Sequence, residues 1–266
     1  MKRIAVIIIS FIAVSVAATE HWIAPAKYIY KRGETINLRF FSGNDYSGDI
    51  WNASRNNLQS LRFYFSNAVD TNLDQSLSEK KGDSLQIADL DDGTAMVTLR
   101  SKNIFTEHSS VEFNNYLRDE GLSFALDYRE RNKDTTSSGR EYYEQDEKTI
   151  FQVGNATDNT YKIKTHLPLE IVPGEHPYTV AKDGRFKIKV FFRGNPLKHH
   201  LIKVWHKLNN KVTLTSHFTD EQGECKFFLA AEGEWMVGCV EMIRLEDDSR
   251  ADWQSFHSTL TWGYIK

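Results

Sequence analysis

From Glu20 onward the chain consists of short runs in which apolar and polar residues alternate, rich in Val, Ile, Phe, Tyr and Trp and broken by Gly, Asn and Asp. A side-chain period of two suits a strand with one buried face and does not suit a helix, so the pattern predicts an all-β protein. Strands are expected at Lys27–Tyr30, Thr35–Phe41, Leu61–Phe65, Ser84–Ile87, Ala95–Arg100 and Lys148–Val153. A second set is expected at Leu169–Val172, Phe186–Phe192, Leu201–Lys207, Lys211–Phe218, Glu224–Leu229, Glu234–Arg244 and Trp253–Trp262. One segment departs from the pattern. Phe113, Tyr116 and Leu117 stand at helical spacing, behind Ser109 and Ser110 as N-caps and ahead of Gly121, which predicts one short helix in the first half. Tyr128 to Glu147 is dense in charge, Ser, Thr and Gly without a periodic apolar face, and reads as a long surface loop.

The start of the chain reads as a cleavable secretory signal over residues 1–18: Lys2 and Arg3, an apolar stretch Ile4–Val16, and the small-residue site Val16-Ala17-Ala18. Cleavage is expected after Ala18; cleavage after Ala17 also fits, through Ser15 and Ala17. The apolar run is shorter than the roughly 20 residues that span a bilayer, and no Cys follows it to carry a lipid. A periplasmic or secreted protein that does not span the membrane is therefore expected. The formal charge of −3 leaves no electrostatic footprint for nucleic acid. The polar run Gly154–Thr160, followed by Pro168, Pro173 and Pro177, suggests a domain boundary near residue 160. The division is then a β-rich domain over 19–160 and a C-terminal β-sandwich over 161–266.

Chemistry is sought first among the nine His, because imidazole is the most versatile metal ligand in a nearly neutral chain. Neither H-E-x-x-H nor H-x-H occurs. His199 and His200 are adjacent, so in a strand they point to opposite faces. His206 and His217 flank the Leu208-Asn209-Asn210 turn and face one another only in some registers, since a two- or a four-residue loop fits. His257 shares a strand face with Ser255 and Trp253 and reads as a core or interface residue. His21 is the leading candidate. Cleavage after Ala18 makes it the third residue of Thr19-Glu20-His21, where amine, two amides and imidazole can surround a Cu(II) or Ni(II) ion in a plane.

No Gly-x-Ser-x-Gly elbow or supported Cys-His arrangement is present, and Glu141, Glu144 and Asp146 read as a solvated charged run, so no enzyme is indicated. Around a turn centred on Glu232, Cys225 falls opposite Cys239, Phe227 opposite Val237 and Leu229 opposite Trp235. That register predicts a cross-strand disulfide between Cys225 and Cys239 in an exported protein.

Several segments together resemble the domain of unknown function 4198 family, secreted bacterial proteins described as periplasmic components of cobalt or nickel transport systems. They include His21-Trp22-Ile23-Ala24-Pro25 with Gly33-Glu34, the run Phe113 to Leu122, Gly139-Arg140-Glu141-Tyr142-Tyr143, and Leu169-Glu170-Ile171-Val172-Pro173. His176-Pro177-Tyr178, Gly194-Asn195-Pro196-Leu197, Thr219 to Gly223, Gly233-Glu234-Trp235 and Asp252-Trp253-Gln254-Ser255 continue the likeness in the same order. The resemblance implies two β-rich domains, the second similar to transthyretin and carboxypeptidase-regulatory sandwiches, and it does not imply an enzyme. Glu241 stands where many relatives carry His, which puts a metal site using that position in doubt. The expected function is a periplasmic binding or accessory protein for a divalent transition metal, nickel or cobalt, which it hands to a membrane metal transporter; Ni, Co or Cu is the ion expected to bind. The alternative is a structural or interaction module of the cell envelope that binds a protein or glycan.

Overall fold

The computed structural model describes residues 19–67, 69–179 and 184–266, so the signal expected over Met1–Ala18 lies outside the described residues. The all-β expectation holds: three sheets of four, ten and four strands carry the fold. The first sheet contains β1 (Glu20–Pro25), β3 (Ile36–Asn44), β4 (Ser47–Ile50) and β7 (Ser84–Ile87). The second holds β2 (Ile29–Tyr30), β5 (Leu58–Phe65), β6 (Val69–Asn72), β8 (Gly93–Ser101), β9 (Ile104–His108) and β10 (Gly139–Val153) from the first half of the chain. It continues with β14 (Leu201–Leu208), β15 (Lys211–Phe218), β17 (Glu234–Arg244) and β18 (Trp253–Gly263) from the second half. The third sheet is β11 (Leu169–Pro173), β12 (Gly184–Phe192), β13 (Asn195–Pro196) and β16 (Glu224–Leu229).

Side-chain alternation shows how the sheets stack. Along β5, β8 and β10 of the ten-stranded sheet, Phe63, Val97 and Phe151 join one core with Ile23, Leu38 and Phe40 of the first sheet. Their neighbours Tyr64, Met96 and Ile150 point the other way, into a core with Ile171, Ile188 and Phe227 of the third sheet. The ten-stranded sheet is therefore the middle of three layers, covered on one face by the first sheet and on the other by the third. This central sheet runs across the boundary expected near residue 160, because β10 pairs in parallel with β18 from Glu141↔Trp253 to Thr149↔Thr261.

Two helices fill the remainder of the first-sheet face, where one was expected. The first, α1 (Ser110–Asp119), starts as the sequence suggests: Ser109 and Glu112 form a reciprocal capping box, and Phe113, Tyr116 and Leu117 are buried. The second, α2 (Ser123–Arg131), buries only Ala125 and Arg129, a pattern too thin to read as an apolar face. The loop expected over Tyr128–Glu147 is corrected accordingly. Its first residues end α2, and from Gly139 it becomes β10, whose polar side chains are buried at the centre of the sheet. Among the described residues, the only stretch of this region outside regular structure is the turn between α2 and β10.

The disulfide expectation is also corrected. Cys225 and Cys239 are free buried thiols, because β16 pairs with β12 and not with β17. The chain leaves the third sheet between β16 and β17 and enters the central one, where β17 pairs with β14 and β18. His206 and His217 do not face each other either: Asn209 and Asn210 both take positive φ (51° and 60°), so a two-residue turn sets His206 opposite Thr213 and His217 opposite Ile202.

Candidate functional site

One face of the central sheet is covered by two separate bodies, the first sheet and the helix pair, and their cores do not merge. Polar side chains fill the seam between them. From β10 come Glu141, Tyr143, Gln145 and Glu147, from β18 Ser255, His257 and Thr259, from β14 Lys203, from the end of α1 Glu120, and from β1 Glu20 and His21. The parallel register aligns Gln145 with His257 and Glu147 with Thr259 on the same face.

A cavity of about 20 Å³ opens in this seam between Thr19, Glu20, His21, Glu120, Lys203 and His257. That is room for one water or one ion and not for an organic substrate. The ring of His21 packs edge-on against Trp51 and its Nε2 lies 3.3 Å from Ser42 Oγ, while its buried Nδ1 has no hydrogen-bond partner among the described residues. His257 meets the Tyr116 hydroxyl at 3.2 Å and Ser255 Oγ at 3.3 Å, both through Nε2, which leaves Nδ1 uncommitted. Burial lowers His21 to about 4. Burial, with the nearby His21, Lys203 and His108, lowers His257 to about 3. Both rings are thus neutral, the form that ligates.

The carboxylates respond in the opposite sense. Desolvation raises Glu20 to about 7, against the pull of Lys203. It also raises Glu120, whose Oε1 accepts a 2.6 Å hydrogen bond from Lys203 Nζ. Glu147, fully buried with neither oxygen partnered among the described residues, is pushed well above its ordinary value by desolvation and then by Asp146. Farther along the seam His108 Nε2 lies 3.1 Å from Glu141 Oε1. Among the described residues, no three His, Cys, Asp or Glu side chains stand close enough to hold an ion by themselves.

The expected site residues are placed as follows. Thr19, Glu20 and His21 all line the cavity. The planar amide chelate meets an obstacle, since Glu20 and His21 pair in β1 with Gly43 and Ser42, and the His21 carbonyl accepts from Thr259 Oγ1 at 2.6 Å. Closing the plane would require lifting these residues off β3. His199 pairs with Glu221 at the surface, His200 lies 3.7 Å from Glu241, and His206 stacks on Trp235 with centroids 4.0 Å apart. None of these three joins the cavity. Sequence reading overlooked Glu120, Lys203, Gln145 and Glu147. The available signal was the period-two order of Glu141, Tyr143, Gln145 and Glu147, which is a strand face made of polar residues.

A three-layer all-β architecture with a closed polar seam describes the class of protein. Residues 16–242 match the family described as Domain of unknown function (DUF4198), and the chain belongs to that family. No curated protein matches the chain. Among solved structures, it is similar at 14% identity and a TM-score of 0.21 to three N-terminal domains of the Highly Immunogenic Outer Capsid protein of bacteriophage RB49, covering 91% of this chain and 59% of that one. A Salmonella alpha-2-macroglobulin mutant follows at 10% identity and a TM-score of 0.20, over 92% of this chain and 15% of that one. Bovine butyrophilin follows at 10% and 0.22, over 91% of this chain and 98% of that one.

Proposed function

We propose that this protein is an envelope metal-binding accessory protein that takes one nickel, cobalt or copper ion at the seam cavity and passes it to a membrane transporter. The observation that carries this reading is an ion-sized cavity lined by two neutral imidazoles, His21 and His257, of which one has a buried nitrogen without a partner. Late first-row ions favour such nitrogen donors, and Zn(II) is a further candidate by the same chemistry. Processing after Ala18 would add the free amine of Thr19 at the rim as a third nitrogen. Glu20, held half-protonated near neutrality by burial, would recover its charge beside a cation.

The test is calorimetry with Ni(II), Co(II) and Cu(II) on protein beginning at Thr19. Micromolar or tighter one-to-one binding is expected, weakened at least 100-fold by either His21→Ala or His257→Ala. Loss with His21→Ala but full retention with His257→Ala would instead place the ion in the planar amide chelate. No binding at micromolar concentration removes the metal reading. The interaction-module reading then gains from β15, an edge strand paired on one side only, with β14, and carrying Leu214 44% and Phe218 66% exposed, the kind of edge that accepts an added strand.

A further inference from the structure

A second cleft, of about 230 Å³, lies at the other end of the helix pair, where the end of α2 and the turn after it meet the start of β10 and the turn between β17 and β18. It is lined by Arg129, Arg140 and Arg244, by Asp134 and Asp252, and walled by Tyr128 and Trp253.

The three guanidinium groups are not equally neutralised. Arg140 makes a two-pronged pair with Asp252, Nε to Oδ2 at 3.0 Å and Nη2 to Oδ1 at 3.1 Å. Arg244 shares the same carboxylate, its Nη1 lying 3.3 Å from Asp252 Oδ1 and donating to the Asp252 carbonyl. It also lies between the Tyr128 and Trp253 rings, 5.3 Å from each centroid, and its buried Nε has no acceptor among the described residues. Arg129 is only 3% exposed, yet its partners are neutral: Nε donates to Asn114 Oδ1 at 3.0 Å and Nη2 to the Ser137 carbonyl at 2.6 Å. No described carboxylate comes within ion-pair distance of Arg129, and Asp134 lines the cleft without pairing with any of the three. Two carboxylates thus face three cations that cannot deprotonate.

A buried guanidinium without a counter-charge is costly unless a ligand supplies one. We propose that this cleft binds a compact oxyanion, a carboxylate or a phosphate group, held by Arg129 and Arg244, with Tyr128 and Trp253 as walls. The guanidinium fork matches two oxygens of either group. The cleft is smaller than the roughly 300–1,000 Å³ of pockets for drug-sized ligands, which restricts the anion to a small one. Desolvation is the largest influence on the Arg129 guanidinium and outweighs the opposite pull of Asp134 and Asp252, neither of which pairs with it directly. The inference is independent of the metal reading, and either can fail alone.

The probes are malonate and inorganic phosphate, titrated into the full chain by calorimetry and by thermal melting. One-to-one binding of at least one of them in the submillimolar range is expected, with a rise in Tm; whichever binds identifies the group recognised. Arg244→Gln should weaken binding at least tenfold with an unchanged circular dichroism spectrum. Arg129→Gln should abolish it, and Arg62→Gln, at a surface pair with Asp70, should leave it intact. If neither probe saturates by 10 mM, or if Arg244→Gln binds as the parent does, the proposal is overturned and Arg129 serves only to clamp the turn after α2.

Discussion

The two faces of the central sheet contrast most along β17 and β18; farther along, the buried Lys148–Glu170 pair crosses the third-sheet face as well. Against the third sheet the face is dry on its β17 and β18 side: Trp235 and Trp262 stack with centroids 6.2 Å apart, and Phe186 and Phe227 close on them. Against the first sheet and the helices the face is split, and the split is filled with Glu20, Glu120, Glu147, Lys203, His21 and His257. Apolar burial stabilises roughly in proportion to area, whereas each buried polar group here must find a partner or remain a cost. The dry face therefore accounts for holding the layers together. The split face gives up stability and retains neutral imidazoles and acids whose proton affinity burial has raised, groups a binding site can use.

If that contrast is right, the largest loss comes from the dry face. Trp262→Ala, at a fully buried position, should cost about 3–5 kcal/mol, while His257→Ala on the opposite face of the same strand should cost a small fraction of that. Urea denaturation measures both. Equal losses would mean that the seam is as much a part of the core as the tryptophans are.

The next effect lies within the seam. Lys203→Met leaves Glu120, with its side chain 6% exposed, without its ion-pair partner, and should destabilise by about 1–3 kcal/mol. Adding Glu120→Leu should restore part of the loss, because the pair is replaced by an apolar contact and no lone charge remains. A double variant no better than Lys203→Met would show that the pair itself, and not the stranded carboxylate, carries the energy.

The contrast between the faces also explains what could be read from the sequence. Strands β7, β15, β16 and β17 lie at the expected residues, since β7, β15 and β16 alternate apolar with polar residues and β17 is a continuous apolar run, Trp235–Val240, bounded by turn residues. The first half of β10 was hidden because charged residues in it pair with distant partners: Glu141 with His108 and Glu144 with Arg100. Hydropathy along the chain carries no trace of a partner 33 to 44 residues away. The β16–β17 hairpin failed for another reason. Adjacent strands with matching apolar faces can pair edge to edge or face each other across a sandwich, and both arrangements put Cys225 and Cys239 in the same core. His21 was legible as a candidate; the residues that enclose it were not, because they come from four other strands and a helix end.

A smaller effect is expected from Glu147. Its folded-state affinity for a proton is raised by burial, so the native state keeps that proton where the unfolded chain, with a Glu value near 4.3, has lost it. This group's contribution is therefore fully present below that value and is lost as pH rises through it toward the folded value. Glu147→Gln removes the titration. The variant's Tm relative to the parent should improve between pH 4 and pH 8, and a constant difference would show that Glu147 is ionised in the fold.

The smallest expected effect is no effect, and it tests the dry face directly. Cys225 and Cys239 both lie in the core between the central and third sheets, on strands of different sheets. Burial raises Cys225 to about 11 and Cys239 well above the ordinary thiol value, so neither forms the thiolate that attacks a disulfide or an alkylating agent at neutral pH. Reductant should change neither the intact mass nor the Tm of the protein. Iodoacetamide should label neither thiol in the native protein and both after denaturation. A mass gain of two hydrogens on reduction would mean that the sheets approach closely enough at this point for the thiols to join. Labelling in the native state would mean that water reaches this face, and the contrast between dry and split faces would no longer hold.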